Sequence, residues 1–199
     1  MRWKLCLETI KVQNRQFYNL QYHNERLNRS RKALFGCKND LDLQQILTIP
    51  PDLDERTYKC RIIYSADIQT IEFLPYSIKP IQTLQLVEAN ELDYSYKYLD
   101  RSCFSNLLEK TTADDILIVK NGFLTDTSYA NVVFWDGNHW FTSDLPLLSG
   151  TKRQYLLDKA QIKRRKLRPG DLNLFIHARL INAFLDLDTG PVIPIQQIF

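Results

Sequence analysis

The residue most suggestive of chemistry in this chain is a lysine. Lys97 sits in Asp93-Tyr94-Ser95-Tyr96-Lys97-Tyr98-Leu99-Asp100-Arg101. Crowded by aromatic rings, a lysine loses part of its solvation, its pKa falls, and it becomes a competent amine nucleophile. The same local sequence also suits a surface lysine whose stem lies along an apolar patch. Leu147-Leu148-Ser149-Gly150-Thr151-Lys152-Arg153 runs from a glycine turn straight into a helix. Such a start offers N–H groups and a positive dipole end to a phosphate; an ordinary cap by Ser149 or Thr151 is the alternative. Asp126 follows a predicted strand, where a bare aspartate is most often a turn residue. The basic run Lys163-Arg164-Arg165-Lys166, with Arg168, reads as a solvated helix end rather than a nucleic-acid patch, because aromatics do not interleave it.

Several chemistries lack their residues. His23, His139 and His177 are not spaced as metal ligands, and Cys6, Cys37, Cys60 and Cys103 form no CxxC pair. No metal site is expected. There is no Gly-x-Ser-x-Gly elbow, no phosphate loop of the GxxxxGK[ST] type and no dinucleotide fingerprint.

The elements that must position these residues follow from patterning. Residues 3–12 read as a strand, Asn14-Arg15 as a turn and Phe17–Leu20 as a second strand. From Asn24, Leu27, Leu34 and Phe35 give a helical stripe ended by Gly36. Asp40 to Leu47 reads as a short helix capped by Asp40. Tyr58–Tyr64 and Gln69–Phe73 form a hairpin, and Thr83–Val87 a further strand, so the first 90 residues read as helices on an antiparallel sheet. The second half restarts with a helix capped by Asp100. Strands follow at Asp115–Lys120, Phe123–Thr125, Asn131–Trp135 and Trp140–Thr142, with Asn121-Gly122 as a hairpin turn. A helix from Thr151 to about Gln161 and strands at Arg179–Leu185 and Val192–Ile195 complete the chain.

The bulk properties agree with one generous domain or two small ones. The chain has 199 residues and a net charge of +3, with 44% hydrophobic and 25% charged residues. These values argue against disorder, and the charge is too mild to imply nucleic acid or an anionic membrane. No apolar run is long enough for a signal peptide or a membrane span, and scattered thiols fit a reducing compartment. We expect a cytoplasmic α+β protein of two lobes, with residues 1–92 and 97–199 on either side of a connector at 93–96.

In order along the chain, these segments resemble the class IV pyridoxal-phosphate enzymes: branched-chain and D-amino-acid aminotransferases and aminodeoxychorismate lyases. Leu7-Glu8-Thr9-Ile10 resembles the opening strand. His23-Asn24-Glu25-Arg26-Leu27 with Ser30 resembles H-x-x-R-L-x-x-S. Lys97-Tyr98-Leu99-Asp100-Arg101 resembles the lyase version of the Schiff-base segment, K-x-L-N-R. Gly122 to Asp126, with Ser128 and Asn131, resembles G-x-V-T-E-x-S-x-x-N, and Leu148 to Arg153 resembles the phosphate turn L-x-G-[IV]-[TM]-R. Arg179 to Ala183 and Gly190 to Pro194 resemble the final strands.

The resemblance implies fold type IV, with a small lobe, a larger barrel-like lobe and a cofactor cleft shared between them. It implies pyridoxal 5'-phosphate held by Lys97 as an imine, with Lys97 also moving the substrate's proton. Asp126 then serves the pyridine nitrogen, Asn131 of the same motif also binds the cofactor, and Arg26 with Gly150, Thr151 and Lys152 takes the phosphate. It implies a small amino-acid-like substrate and a homodimer, with no nucleic acid or membrane partner. Pyruvate elimination from aminodeoxychorismate is the leading reaction; amino-group transfer and a non-catalytic relative serving as an interaction protein are the alternatives. Asp126 stands where the family has glutamate, and Thr151-Lys152 replaces an aliphatic and a hydroxyl residue. Only 71 positions (26 to 97) separate Arg26 from Lys97, which places the shortening in the small lobe. No arginine for the substrate carboxylate is carried over.

Overall fold

The computed structural model describes residues 5–199. The first two residues of the expected opening strand, 3 and 4, lie outside the described residues. The architecture is α+β, as expected. It divides into two compact units, one comprising the residues up to Ile78 together with Tyr96–Asp100, the other Lys79–Ser95 with Arg101–Phe199.

In the first unit, β1 (Cys6–Gln13) turns through Asn14 and Arg15 into β2 (Gln16–Phe17). Both turn residues have positive φ, 48° and 52°, as a two-residue hairpin turn of matching twist requires. Helix α1 (Leu20–Phe35) follows, then α2 (Leu43–Ile46), β3 (Tyr58–Tyr64) and β4 (Ile68–Pro75). The sheet order is β2-β1-β3-β4, with each neighbouring pair antiparallel. Alternation places Cys6, Glu8, Ile10 and Val12 of β1 opposite Tyr64, Ile62, Cys60 and Tyr58 of β3, and all eight are buried. A two-residue period thus puts one carboxylate, Glu8, in an otherwise uncharged row.

Helix α1 begins four residues before the expected Asn24. The predicted second strand therefore ends at Phe17. The start is hidden in the sequence because Asn19 caps the helix from a left-handed backbone conformation (φ 53°) without a side-chain bond. The end is where expected, at Gly36 with φ 68°. Asp42, not Asp40, caps α2 by accepting a hydrogen bond from Gln44 N–H. Arg31 anchors α1: fully buried, it donates to the Ala66 and Asn39 carbonyls at 2.8 and 2.9 Å and to Asn28 Oδ1 at 3.1 Å.

The second unit contains β5 (Leu84–Glu88), α3 (Ser102–Leu108), β6 (Asp115–Lys120), β7 (Phe123–Thr127), β8 (Asn131–Trp135) and β9 (Trp140–Ser143). Helix α4 (Thr151–Asp158), β10 (Lys163–Arg165), β11 (His177–Ile181) and β12 (Val192–Pro194) complete it. The sheet path is β10-β9-β8-β7-β6-β5, with β11 joined to β8 and β12. Its main core gathers Leu84, Leu117, Leu124, Val132, Phe134, Leu180 and Ile193.

Two expectations are corrected here. Strand β5 does not extend the first antiparallel sheet; it pairs in parallel with β6. The basic run is not a helix end, because Lys163, Arg164 and Arg165 form an exposed strand parallel to β9. Arg168 stacks 4.9 Å from the Phe123 ring centroid. Exposed cations on an edge strand discourage further strand pairing.

Replacing Arg31 by leucine removes the guanidinium that ties α1 to the part-buried Asn39 and Ala66 carbonyls and to Asn28 Oδ1. We expect a loss of about 2 kcal/mol, read from the urea unfolding midpoint.

Candidate active site

The motif residues fall into two groups. Arg26 and Lys97 belong to the first unit; Asp126, Asn131, Gly150, Thr151 and Lys152 belong to the second.

In the first group, His23 and Arg26 lie one turn apart on α1 and both reach Glu8. Arg26 donates from Nε to Glu8 Oε1 at 2.8 Å and from Nη2 to Oε2 at 2.6 Å. His23 Nδ1 lies 2.7 Å from Glu8 Oε2. Burial alone would raise the Glu8 pKa, but the Arg26 charge and the bonds from Arg26 and His23 hold it at about 2. Burial lowers the His23 pKa despite its bond to Glu8. A neutral imidazole beside a carboxylate, which can only accept, carries its proton on Nδ1. Lys97 is half-buried, and its segment runs along β1: Leu7 N–H donates to Lys97 O, and Leu99 N–H to Leu5 O, each at 2.8 Å. The Lys97 charge contributes to the depression of His23.

In the second group, register does the positioning. Asp126 of β7 is directly opposite Asn131 of β8, so their side chains share a face. Asn131 Nδ2 donates to Asp126 Oδ1 at 2.8 Å and to Leu148 O at 3.0 Å. Leu148 N–H donates to Asp126 Oδ2 at 2.8 Å. Asp126 is thereby tied to the turn that opens α4. Gly150 is obligatory there: a Cβ would sit 1.8 Å from Asn131 Oδ1. Burial raises the Asp126 pKa to about 6, opposed by these donors and by the Arg153 charge.

Thr151 and Lys152 occupy the first turn of α4, where no carbonyl of the same helix can reach the N–H groups. The Lys152 ammonium pairs with Asp186 at 2.5 Å and lies 5.2 Å from the Tyr155 ring centroid.

Three residues quoted within motifs carried no assigned role from sequence: Glu8, His23 and Arg153. Period-two parity with Cys6, Ile10 and Val12 was the available signal for Glu8. Arg153 is buried, donates from Nη2 to Ser143 O at 2.7 Å, and its Nε has no partner. Burial lowers its pKa, partly offset by Asp126.

Residues 5–198 match the family described as amino-transferase class IV. The chain belongs to the class IV aminotransferases. A Haemophilus somnus structure provisionally named a 4-amino-4-deoxychorismate lyase is 34% identical, superposes with a TM-score of 0.82, and shares 92% of this chain and 97% of its own. An uncharacterized protein of Haemophilus influenzae is 34% identical over 179 residues, 88% of this chain and 95% of that one. A PLP-bound hypothetical aminotransferase of Mycobacterium tuberculosis, 17% identical with a TM-score of 0.75, shares the fold over 96% of this class IV chain and 81% of its own. The compact length is therefore common to this class IV aminotransferase and its two 34%-identical relatives. No helix among the described residues is long and apolar enough to cross a membrane.

Two outcomes follow from the second group. The folded Asp126 pKa lies above the ordinary 3.8, so the folded state binds the extra proton between about pH 4 and pH 6. The Asp126 contribution to stability therefore falls as pH rises through that window, by on the order of 3 kcal/mol. Unfolding free energies of wild type and Asp126→Asn should diverge in the variant's favour from pH 4 to pH 6. Gly150→Ala should displace the Asn131 amide and cost about 2 kcal/mol in thermal unfolding.

Proposed function

We propose that the chain is a pyridoxal 5'-phosphate-dependent enzyme acting on an amino-acid-like substrate, with 4-amino-4-deoxychorismate as the leading candidate. The observation that carries the reaction is the similarity to the Haemophilus somnus protein at 34% identity, together with the K-x-L-x-R segment at Lys97. Elimination divides that substrate into pyruvate and 4-aminobenzoate with no co-reactant, so the site must move protons but exchange no electrons with a partner.

The residues present fit the cofactor. A buried carboxylate with a pKa of about 6, Asp126, suits a ring nitrogen that shares its proton. One methylene shorter than glutamate, it is fixed by the Leu148 N–H and the Asn131 amide. Gly150 lets the turn approach Asn131 closely, and the N–H groups of Thr151 and Lys152 supply donors for a phosphate. Arg26 supplies the cation. When bound, the cofactor withdraws electron density from the substrate's alpha carbon. Lys97 would hold the cofactor through its Nζ and, when free of it, would take and return the proton at that carbon. Lys152 contributes its backbone, since its side chain is engaged by Asp186.

Amino-group transfer is the second reading, supported by the family match across residues 5–198. Two assays on the cofactor-loaded protein separate them: release of 4-aminobenzoate from aminodeoxychorismate, and transfer from amino donors to keto acids. We expect the first to proceed. Lys97→Ala should reduce it by at least about 10³-fold and abolish the visible absorption band. Borohydride treatment of wild type should leave the cofactor's mass on Lys97. Protein that cannot be loaded with pyridoxal phosphate overturns the enzyme reading. Loaded protein inactive in both assays overturns both reactions.

A further inference from the structure

Arg153 is buried in the first turn of α4, a costly place for a cation. Burial strips water from the guanidinium, and the positive pole of the helix dipole repels it. Its Nε has no partner. Stability alone does not account for a charge placed there, but what the guanidinium reaches does. Nη2 donates to Ser143 O at 2.7 Å. Ser143 ends β9 and Arg153 lies just inside α4, so this bond joins the two ends of the turn at residues 144–150.

That turn is what holds Asp126. Leu148 N–H donates to Asp126 Oδ2, Leu148 O accepts from Asn131 Nδ2, and Gly150 abuts Asn131 Oδ1. Ser143 is itself fixed. Its hydroxyl donates at 2.5 Å to the carbonyl of Leu124, which precedes Asp126 by two positions on β7, and accepts from Leu145 N–H at 3.2 Å. Strand β7 thus grips the turn at two points, Leu124 to Ser143 and Asp126 to Leu148, and Arg153 ties the start of α4 to the first of them. The charged groups around the guanidinium are Asp126 from β7, Asp144 from the turn and Arg164 from β10. Its charge favours ionised Asp126 and so opposes the effect of burial there.

We propose that Arg153 is a positioning residue of the candidate active site: it clasps the turn between β9 and α4, so that the Leu148 N–H stays on Asp126 and the start of α4 keeps its place beside it. This rests on the roles given above to Asp126 and to the start of α4. Arginine suits the task because a lysine ammonium in its place ends one atom short of Nη2.

The test is Arg153→Met, which keeps an apolar stem and removes both charge and donors, measured first without cofactor. At fixed pH, exchange of the Leu148 amide hydrogen should quicken about tenfold or more, while that of Ala178, in a strand paired on both sides, stays within about twofold. The Asp126 carboxyl, followed by carbon-13 NMR and assigned with Asp126→Asn, should titrate at least about half a pH unit higher than in wild type, because a cation and a donor are lost. Retention of pyridoxal phosphate, by equilibrium dialysis, should weaken about tenfold. Leu148 exchange at the wild-type rate, exchange quickened only as much as at Ala178, or an unmoved Asp126 midpoint overturns the clasp. A loosened Leu148 with unchanged cofactor retention overturns its role in the site. Wild-type protein that takes up no pyridoxal phosphate overturns the enzyme reading and leaves the clasp to stand on the cofactor-free measurements. Should Arg153→Met fail to fold, Arg153→Lys carries the test. It keeps the charge but not the reach, so the Asp126 midpoint should stay within about half a unit of wild type while Leu148 exchange still quickens. Unchanged Leu148 exchange in Arg153→Lys overturns the clasp.

Discussion

A carboxylate shut away from water must be met by donors, and one such group organises each unit of this protein. Glu8 draws His23 and Arg26 of α1 down onto β1. Asp126 draws together the β7–β8 hairpin and the turn before α4. The two are buried alike but shift in opposite directions, and the charge on their donors decides which way. Glu8 meets a guanidinium directly, so the Coulomb attraction and charge-assisted bonds outweigh desolvation. Asp126 meets a neutral amide and a main-chain N–H, which are too weak to cancel the same penalty. Glu8 is consequently anionic well below the ordinary carboxylate range, whereas Asp126 exchanges a proton at about pH 6.

Arg153 marks the boundary between those two cases. Its charge favours ionised Asp126, yet its Nη2 is committed to the Ser143 carbonyl rather than to the carboxylate. A direct bidentate pair would have pushed Asp126 down as Arg26 pushes Glu8. Keeping the guanidinium on a carbonyl leaves Asp126 able to hold a proton.

Local patterns were legible where local forces act. Alternation found β1, β3 and β6 to β9, the helical stripe found α1, and Asn121-Gly122 found its hairpin. What escaped was non-local. Nothing in the residues of β5 distinguishes a strand parallel to β6 from a further antiparallel one, because register with a partner 31 positions away is decided by packing (84 to 115). The basic run looked like a helix end because charge suits both a helix terminus and an edge strand. Motif order picked out Asp126, Asn131 and Gly150, and the structure supplies the physical reason for their spacing: the first two are cross-strand neighbours, and the third is the residue whose missing side chain lets Asn131 in. Lys152 read as a cation for the phosphate turn, but its partner, Asp186, lies 34 positions on and had no signature of its own.

The Leu148 hydrogen bond gives the second unit a further property. The N–H that donates to Asp126 belongs to the same short turn that opens α4, so the carboxylate and the helix start cannot move independently. An anion held at that helix start is a negative charge added near a carboxylate that already titrates near neutrality, and like charges raise its affinity for a proton. Occupation of the turn thus favours the protonated form of Asp126 through space, while the Asn131 amide keeps the distance between them fixed. Tethered by both the Leu148 N–H and the Asn131 amide, Asp126 is held within that field.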